Sequence, residues 1–250
     1  MQLKKLIFPV YAYKQYKQLW DHIFNLEAAL EWIINSPKFQ AASNVGFNGQ
    51  QYRKKIFMEL MNTFKFDAIL ETGTYTGDTT GYMAKTSSLP IYTCELNKWF
   101  HDIAHRRLIE INNIHYFLGD SREFLKKLSS KNMKNKKVFI YLDAHWYKDL
   151  PLKKEIEIIV SHWDQFIIMI DDFKVPDDGG YTYDHYSRKK SLTIQVFGQL
   201  FKNNNLTPYF PSAASGLETG YKRGCVVLAP NGEVSKKMEK VSSLRQINSN

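Results

Sequence analysis

The sequence predicts an α/β domain in which a mostly parallel sheet is buried between helices. Three observations carry that expectation. Short apolar runs at 68–71, 91–95, 114–118, 138–143 and 166–171 alternate with polar, helix-forming stretches. The first run ends in a carboxylate and leads at once into two glycines four apart, Glu71-Thr72-Gly73-Thr74-Tyr75-Thr76-Gly77. Acids stand at or beside the ends of the runs, at Glu71, Glu95, Asp120, Asp143 and Asp171.

Upstream of the alternation, Leu19, Ile23, Leu26, Leu30 and Ile33 recur at steps of four and three. This spacing predicts an amphipathic helix over 14–34, suited to packing on the core, to a lid or to a dimer face. A loop at 37–48 and a second helix at 50–63 follow, with Ile56, Phe57, Leu60 and Met61 facing inward. Helices are expected near 79–85, 98–110, 121–128 and 152–160. Asp120 with Glu123 gives the third a capping-box-like start, and Pro151 suits the first turn of the fourth. After the fifth strand the rhythm changes to a polar, aromatic loop at 173–190, carrying Gly179, Gly180, Tyr181, Tyr183 and Tyr186, which reads as a substrate cover. A helix at 191–202 and two strands at 207–210 and 224–228, joined as a hairpin, complete the sheet. Residues 231–250 read as a polar tail, giving a division into a helical cover (1–48), a main domain (49–230) and that tail.

A chain of 250 residues suffices for one α/β domain with a substantial core. Cys94 and Cys225 lie in predicted strands without a CxxC spacing, which suits buried hydrophobes in a reducing, cytoplasmic setting. The apolar run near the N-terminus is broken by Pro9 and Lys14 and is too short for a signal peptide or membrane span. The net charge of +9 raises the question of nucleic acid. The lysines, among them Lys126, Lys127, Lys134 and Lys137, are scattered and not interleaved with aromatics, which argues against that partner.

The glycine pattern bears on the ligand. Dinucleotide sites use G-x-G-x-x-G, and only Gly73 and Gly77 are present, which weighs against a pyrophosphate on the helix N-terminus and against a dehydrogenase. Glu95 sits at roughly the 20-residue interval at which nucleotide-binding α/β folds place a carboxylate on ribose hydroxyls. Asp143 and the Asp171-Asp172 pair could bring three carboxylates together; unpaired they would repel, and a hard divalent cation such as Mg²⁺ or Ca²⁺ resolves this.

On Glu71–Gly77, Cys94-Glu95, Gly119-Asp120-Ser121, Tyr141-Leu142-Asp143-Ala144-His145 and Met169-Ile170-Asp171-Asp172, the chain resembles class I S-adenosylmethionine (SAM)-dependent methyltransferases. Within them it resembles the metal-dependent small-molecule O-methyltransferases of the macrocin and methyltransferase 24 type. That resemblance implies a Rossmann-like, seven-stranded sheet with an antiparallel last strand. It implies SAM held by Glu71, Gly73, Thr74, Tyr75, Gly77, Thr79, Glu95, Asp120 and Ser121. It implies Mg²⁺ or another divalent cation on Asp143, Asp171 and Asp172, and methyl transfer to a hydroxylated small molecule, such as a sugar or secondary metabolite. His145 is the first candidate for the base and Lys148 the second, with Asp143 beside them; His145 as a cation ligand or an orienting residue, and His185 as base, are alternatives. Asn48 and Gln50 are placed to reach the cofactor or to form a turn. Two other readings stand beside this one: a SAM-dependent RNA methyltransferase, and a binding protein that keeps the fold without catalysis. A homodimer through the 14–34 stripe is a further expectation.

Overall fold

The computed structural model describes residues 45–129, 133–145 and 149–247. The expected helix at 14–34 and the side chain of Lys148 lie outside them. In chain order the elements are α1 (Gln51–Phe64), β1 (Ala68–Thr72), α2 (Asp78–Ser87), β2 (Ile91–Glu95), α3 (Lys98–Arg107), β3 (Ile114–Leu118), α4 (Ser121–Ser129), β4 (Val138–Leu142), α5 (Leu152–His162) and β5 (Phe166–Asp171). A two-stranded ribbon, β6 (His185–Ser187) and β7 (Lys190–Ser191), precedes α6 (Ile194–Asn203), β8 (Leu206–Pro211), β9 (Cys225–Pro230), α7 (Glu233–Met238) and β10 (Leu244–Arg245).

Among the described residues the main sheet has eight strands in the order β10-β8-β9-β5-β4-β1-β2-β3. Strands β1 to β5 run parallel, and β9 pairs antiparallel with both β5 and β8. The expected seven strands are therefore present, with β9 as the antiparallel one, and an eighth is added. Residues beyond Pro230, read as a polar tail, form α7 and β10, and Leu244 and Arg245 pair with Pro211 and Phe210 on β8. Met238, Val241 and Leu244 are buried there. Three apolar side chains too few for a periodic pattern anchor this segment, which is why composition alone reads it as polar.

Strands β1, β4 and β5 are buried along their whole length, as a parallel sheet covered on both faces requires. Alternate residues feed two cores. Leu70, Ile140 and Ile168 pack with Phe124, Leu125, Ile156 and Phe201 on one side. Ile69, Phe139 and Ile167 pack with Ile56, Phe57, Leu60 and Met83 on the other. Each such side chain contributes about 1.5–3 kcal/mol relative to exposure.

The register sets up the site. Thr72 lies level with Cys94 on β2 and with Leu142 on β4, and Leu142 lies level with Ile170 on β5. The residues that follow, Gly73, Glu95, Asp143 and Asp171-Asp172, thus emerge along one edge. Strand order reverses between β1 and β4, which makes the C-terminal ends of these strands the expected ligand crevice.

Candidate active site

The glycine turn after β1 is built around a buried acid. Glu71 is 1% exposed, and its Oε2 accepts hydrogen bonds from Thr80 Oγ1 (2.5 Å) and Thr93 Oγ1 (2.6 Å). Burial pushes its carboxyl up to about 7; the threonine hydroxyls pull it down and Glu95 adds to the rise. Glu71 thus ties the start of α2 and the neighbouring strand to the turn. Thr74 Oγ1 joins the network through Thr93 Oγ1 at 2.5 Å. Gly73 has φ +88°, and a Cβ there would lie 2.4 Å from the carbonyl oxygen of Asp143. Gly77, at φ +83°, is the N-cap of α2, a left-handed conformation that glycine adopts without a Cβ penalty.

Glu95 is drawn under this turn. Its Oε2 accepts from Tyr75 N–H at 2.8 Å and its Oε1 from Asn97 N–H at 2.9 Å. Thr79 faces away: its Oγ1 accepts from Phe47 N–H at 3.0 Å, in the 3-10 turn Phe47–Gly49. Asp120 begins α4 by accepting from Arg122 N–H at 2.8 Å, and it is ion-paired with the Arg122 guanidinium, which holds its carboxyl below the usual range. Arg122 also reaches Asp149 at 2.7 Å. Ser121 is buried beside Asp120.

The second half of the site separates two adjacent acids. Asp172 has φ +54°, and this turn sends the two carboxylates to different partners. Asp171 accepts from Arg53 Nη1 and from Tyr141 Oη; Asn48 Nδ2 (3.3 Å) and Asp172 N–H (2.7 Å) complete its shell. It stays close to Asp143 but is not among the described residues whose ligand atoms could share a cation. Asp172 instead meets Arg223 Nε at 2.5 Å.

His145 is 5% exposed, and its Nε2 has no hydrogen-bond partner among the described residues. Three carboxylate oxygens surround that atom beyond hydrogen-bond range: Asp143 Oδ1 at 3.8 Å, Asp172 Oδ2 at 3.9 Å and Asp184 Oδ2 at 4.0 Å. Ligand atoms of Asp143, His145 and Asp172 all lie within 4.8 Å of one another, as a cation site requires. Burial, with Asp171 and Asp172 nearby, pushes the Asp143 carboxyl well above its usual range. Burial also opposes ionisation of Asp172, but His145 and Arg223 outweigh it and hold that carboxyl low.

Sequence reasoning did not foresee the roles of Arg53, Arg223 and Asp184 as partners of one another and of the acids. Arg53 comes from α1 and bridges Asp171 to the Arg223 carbonyl. Arg223 ion-pairs with both Asp172 and Asp184. Asn48 and Gln50 join this same bracing: Asn48 donates to Asp171, and Gln50 exchanges two hydrogen bonds with the Arg223 backbone, at 2.9 and 3.1 Å. The expected cover loop is a braced segment. Tyr181 is buried and donates to Ala213 O at 3.0 Å, Tyr186 donates to Asp184, and Asp184 N–H donates to Asp172 O at 2.9 Å. His185 bonds Ser191 across the ribbon at 3.0 Å. A pairing of Asp with Arg over 39 residues has no local pattern from which it could be read.

No family model matches the chain, and no curated protein matches its sequence. Solved structures do match in fold. An O-methyltransferase from Bacillus cereus, in complex with SAH, aligns with a TM-score of 0.53 at 17% identity over 81% of this chain and 90% of its own. The O-methyltransferase TomG from Streptomyces achromogenes, involved in tomaymycin synthesis and bound to SAM, aligns at 0.51 and 16% identity over 72% and 80%. The methyltransferase domain of bacterial CtHen1-C aligns at 0.53 and 11% identity over 74% and 99%. The chain thus shares the Rossmann-like fold of these methyltransferases.

Proposed function

We propose that this chain is a SAM-dependent O-methyltransferase acting on a hydroxylated small molecule with the help of a divalent cation. The observation that carries the reading is the contact of Gly73 with Asp143. There the backbone of the glycine turn lies against the loop that bears the carboxylate cluster, with room for no side chain. A methyl donor on the first and an acceptor oxygen at the second would be neighbours.

In this reading Gly73, Thr74, Tyr75 and Gly77 let the cofactor approach the backbone. Glu95, already fixed by two backbone N–H groups, takes the ribose hydroxyls. Asp120, held by its ion pair with Arg122, and Ser121 border the adenine end. Glu71 and Thr79 shape the turn from behind. Asp143, His145 and Asp172 would hold the cation, which when bound lowers the pKa of an acceptor hydroxyl and orients it. Transfer is an in-line displacement from sulfonium to oxygen, so alignment by a rigid sheet edge supplies much of the rate. A buried Nε2 aimed at three carboxylates suits His145 to cation binding better than to proton removal, which leaves Lys148 as the candidate base. Free, buried Cys94 and Cys225 fit a reducing compartment such as the cytoplasm. Among the described residues no helix is long and apolar enough to cross a membrane.

Calorimetric titration with SAM, with NAD as control, tests the reading. SAM binding with a one-to-one stoichiometry is expected. Binding of NAD in its place, or of neither, would refute it.

A further inference from the structure

Strands β6 and β7 form a separate two-stranded ribbon whose turn is Arg188-Lys189. A pair of strands alone is marginal in water, and this one is held at its base. Asp184 N–H donates to Asp172 O at 2.9 Å, Leu192 N–H to Asp184 O at 3.0 Å and Lys174 N–H to Leu192 O at 2.8 Å. His185 pairs with Ser191 and Ser187 with Lys190, so Tyr186 is an extra residue on its strand. Such a bulge re-aims a side chain. Here it sends the Tyr186 hydroxyl to Asp184 Oδ2 and toward His145 O at 3.4 Å. The ribbon is thereby pinned to the loop that carries Asp143 and His145.

The turn comes two residues beyond Tyr186, about 7 Å along the strand. Arg188, Lys189 and Lys190 are exposed. Neither Arg188 nor Lys189 has a carboxylate partner among the described residues. Lys174, whose ammonium lies over the Tyr183 ring at 5.4 Å, adds a cation near the base of the ribbon. Lysine on an edge strand also serves to repel other chains, but that use asks for no fixed position. A cationic turn held in place beside a carboxylate cluster is a preorganised anion site, because little ordering entropy is left to lose on binding.

We propose that Arg188 and Lys189 bind a phosphate group of the acceptor, which is therefore a hydroxylated small molecule carrying a phosphate ester. Such an ester bears a charge of about −1.5 to −2 at pH 7. The guanidinium meets two of its oxygens with parallel N–H donors, and the ammonium adds a second positive charge. With its phosphate on the turn and its hydroxyl at the acid cluster, the acceptor is oriented from both ends, which favours in-line transfer. The inference rests on the methyltransferase reading for the acceptor role of the ligand, not for binding of the anion.

The test is titration of the intact protein with inorganic phosphate at low ionic strength, followed by phosphorus NMR line broadening. It compares the wild type, Arg188→Ser/Lys189→Ser, and the control Lys236→Ser/Lys237→Ser on α7. Saturable binding of one phosphate per chain is expected. The ribbon variant should weaken it at least about 10-fold, and the control should leave it unchanged. SAM affinity should be the same in all three proteins, because the turn serves the acceptor. Absence of saturable binding, its survival in the ribbon variant or its equal weakening in the control overturns the proposal. A single-stranded RNA oligonucleotide is the second probe. Binding far tighter than that of phosphate and falling steeply with salt would mark a surface that tracks a nucleic-acid backbone and overturn the small-molecule assignment. SAM titration separates the two readings: SAM binding without phosphate binding removes only this inference, and turn-dependent phosphate binding without SAM binding supports the anion site while removing the methyltransferase reading.

Discussion

Arg53 and Asp171 form an ion pair in which both side chains are 1% exposed, joining α1 to the end of β5. Burial of two charges is costly, and breaking such a pair on one side leaves an uncompensated charge. Arg53→Met is therefore expected to lower unfolding stability by about 3–5 kcal/mol. The double variant Arg53→Met/Asp171→Asn should be less unstable than the two single losses combined, because the orphaned charge is gone. Urea unfolding of the four proteins decides this; strict additivity would mean that the pair is not coupled.

Asp171 and Asp172 are neighbours that turn to different partners. Asp171→Asn is expected to cost stability while preserving the binding of one divalent cation per chain. Asp172→Asn should cost the bound ion with a smaller effect on unfolding. Loss of the ion in the Asp171 variant, at temperatures where it is folded, would return Asp171 to the ligand set.

Glu95 supplies charge as well as shape. Glu95→Gln keeps the size of the side chain but weakens charge-assisted hydrogen bonds, each of which is worth about 1.5–3 kcal/mol. A rise in the dissociation constant for SAM of at least about 10-fold is expected. An unchanged constant would take Glu95 out of the cofactor site.

Glu71 makes stability depend on pH. Its carboxyl is raised to about 7 in the folded protein, above the ordinary value for the unfolded chain. The folded state thus holds more protons than the unfolded state between the two values, and stability falls as pH rises through that window. The loss is on the order of 3 kcal/mol by pH 8. Glu71→Gln, which can still accept from Thr80 and Thr93, should flatten that part of the melting profile and be the more stable protein at pH 8. Parallel profiles for the two proteins from pH 5 to pH 8 would disprove the assignment.

Gly73 links the two halves of the site. Gly73→Ala places a Cβ against Asp143 O in a left-handed backbone, a strain of roughly 1–3 kcal/mol or more. SAM and divalent-cation affinity should fall together, since the turn and the Asp143 loop must part. Loss of only one of the two would show that the halves are independent.

Legibility in the sequence followed locality. The five parallel strands and the glycine turn could be read because each is a short apolar run closed by its own turn residues. Glu95 and Asp143 were placed correctly at the sheet edge by the same logic. Asp171 was not separable from Asp172, since the partner that claims it, Arg53, sits 118 residues away in sequence. The pairing of Asp184 with Arg223 was unreadable for the same reason. The role of His145 turned on where one ring nitrogen points, which neither composition nor spacing encodes.

The pairing of β10 with β8 also settles where this domain can be shortened. A chain cut at Pro230 would keep every element that bears the candidate site, yet it would uncover the outer backbone of β8 and the buried faces of Tyr209 and Phe210. An open strand edge is a template for joining another chain. Such a shortened protein should self-associate into aggregates, so the last ordered strand acts as a guard on the sheet's free side.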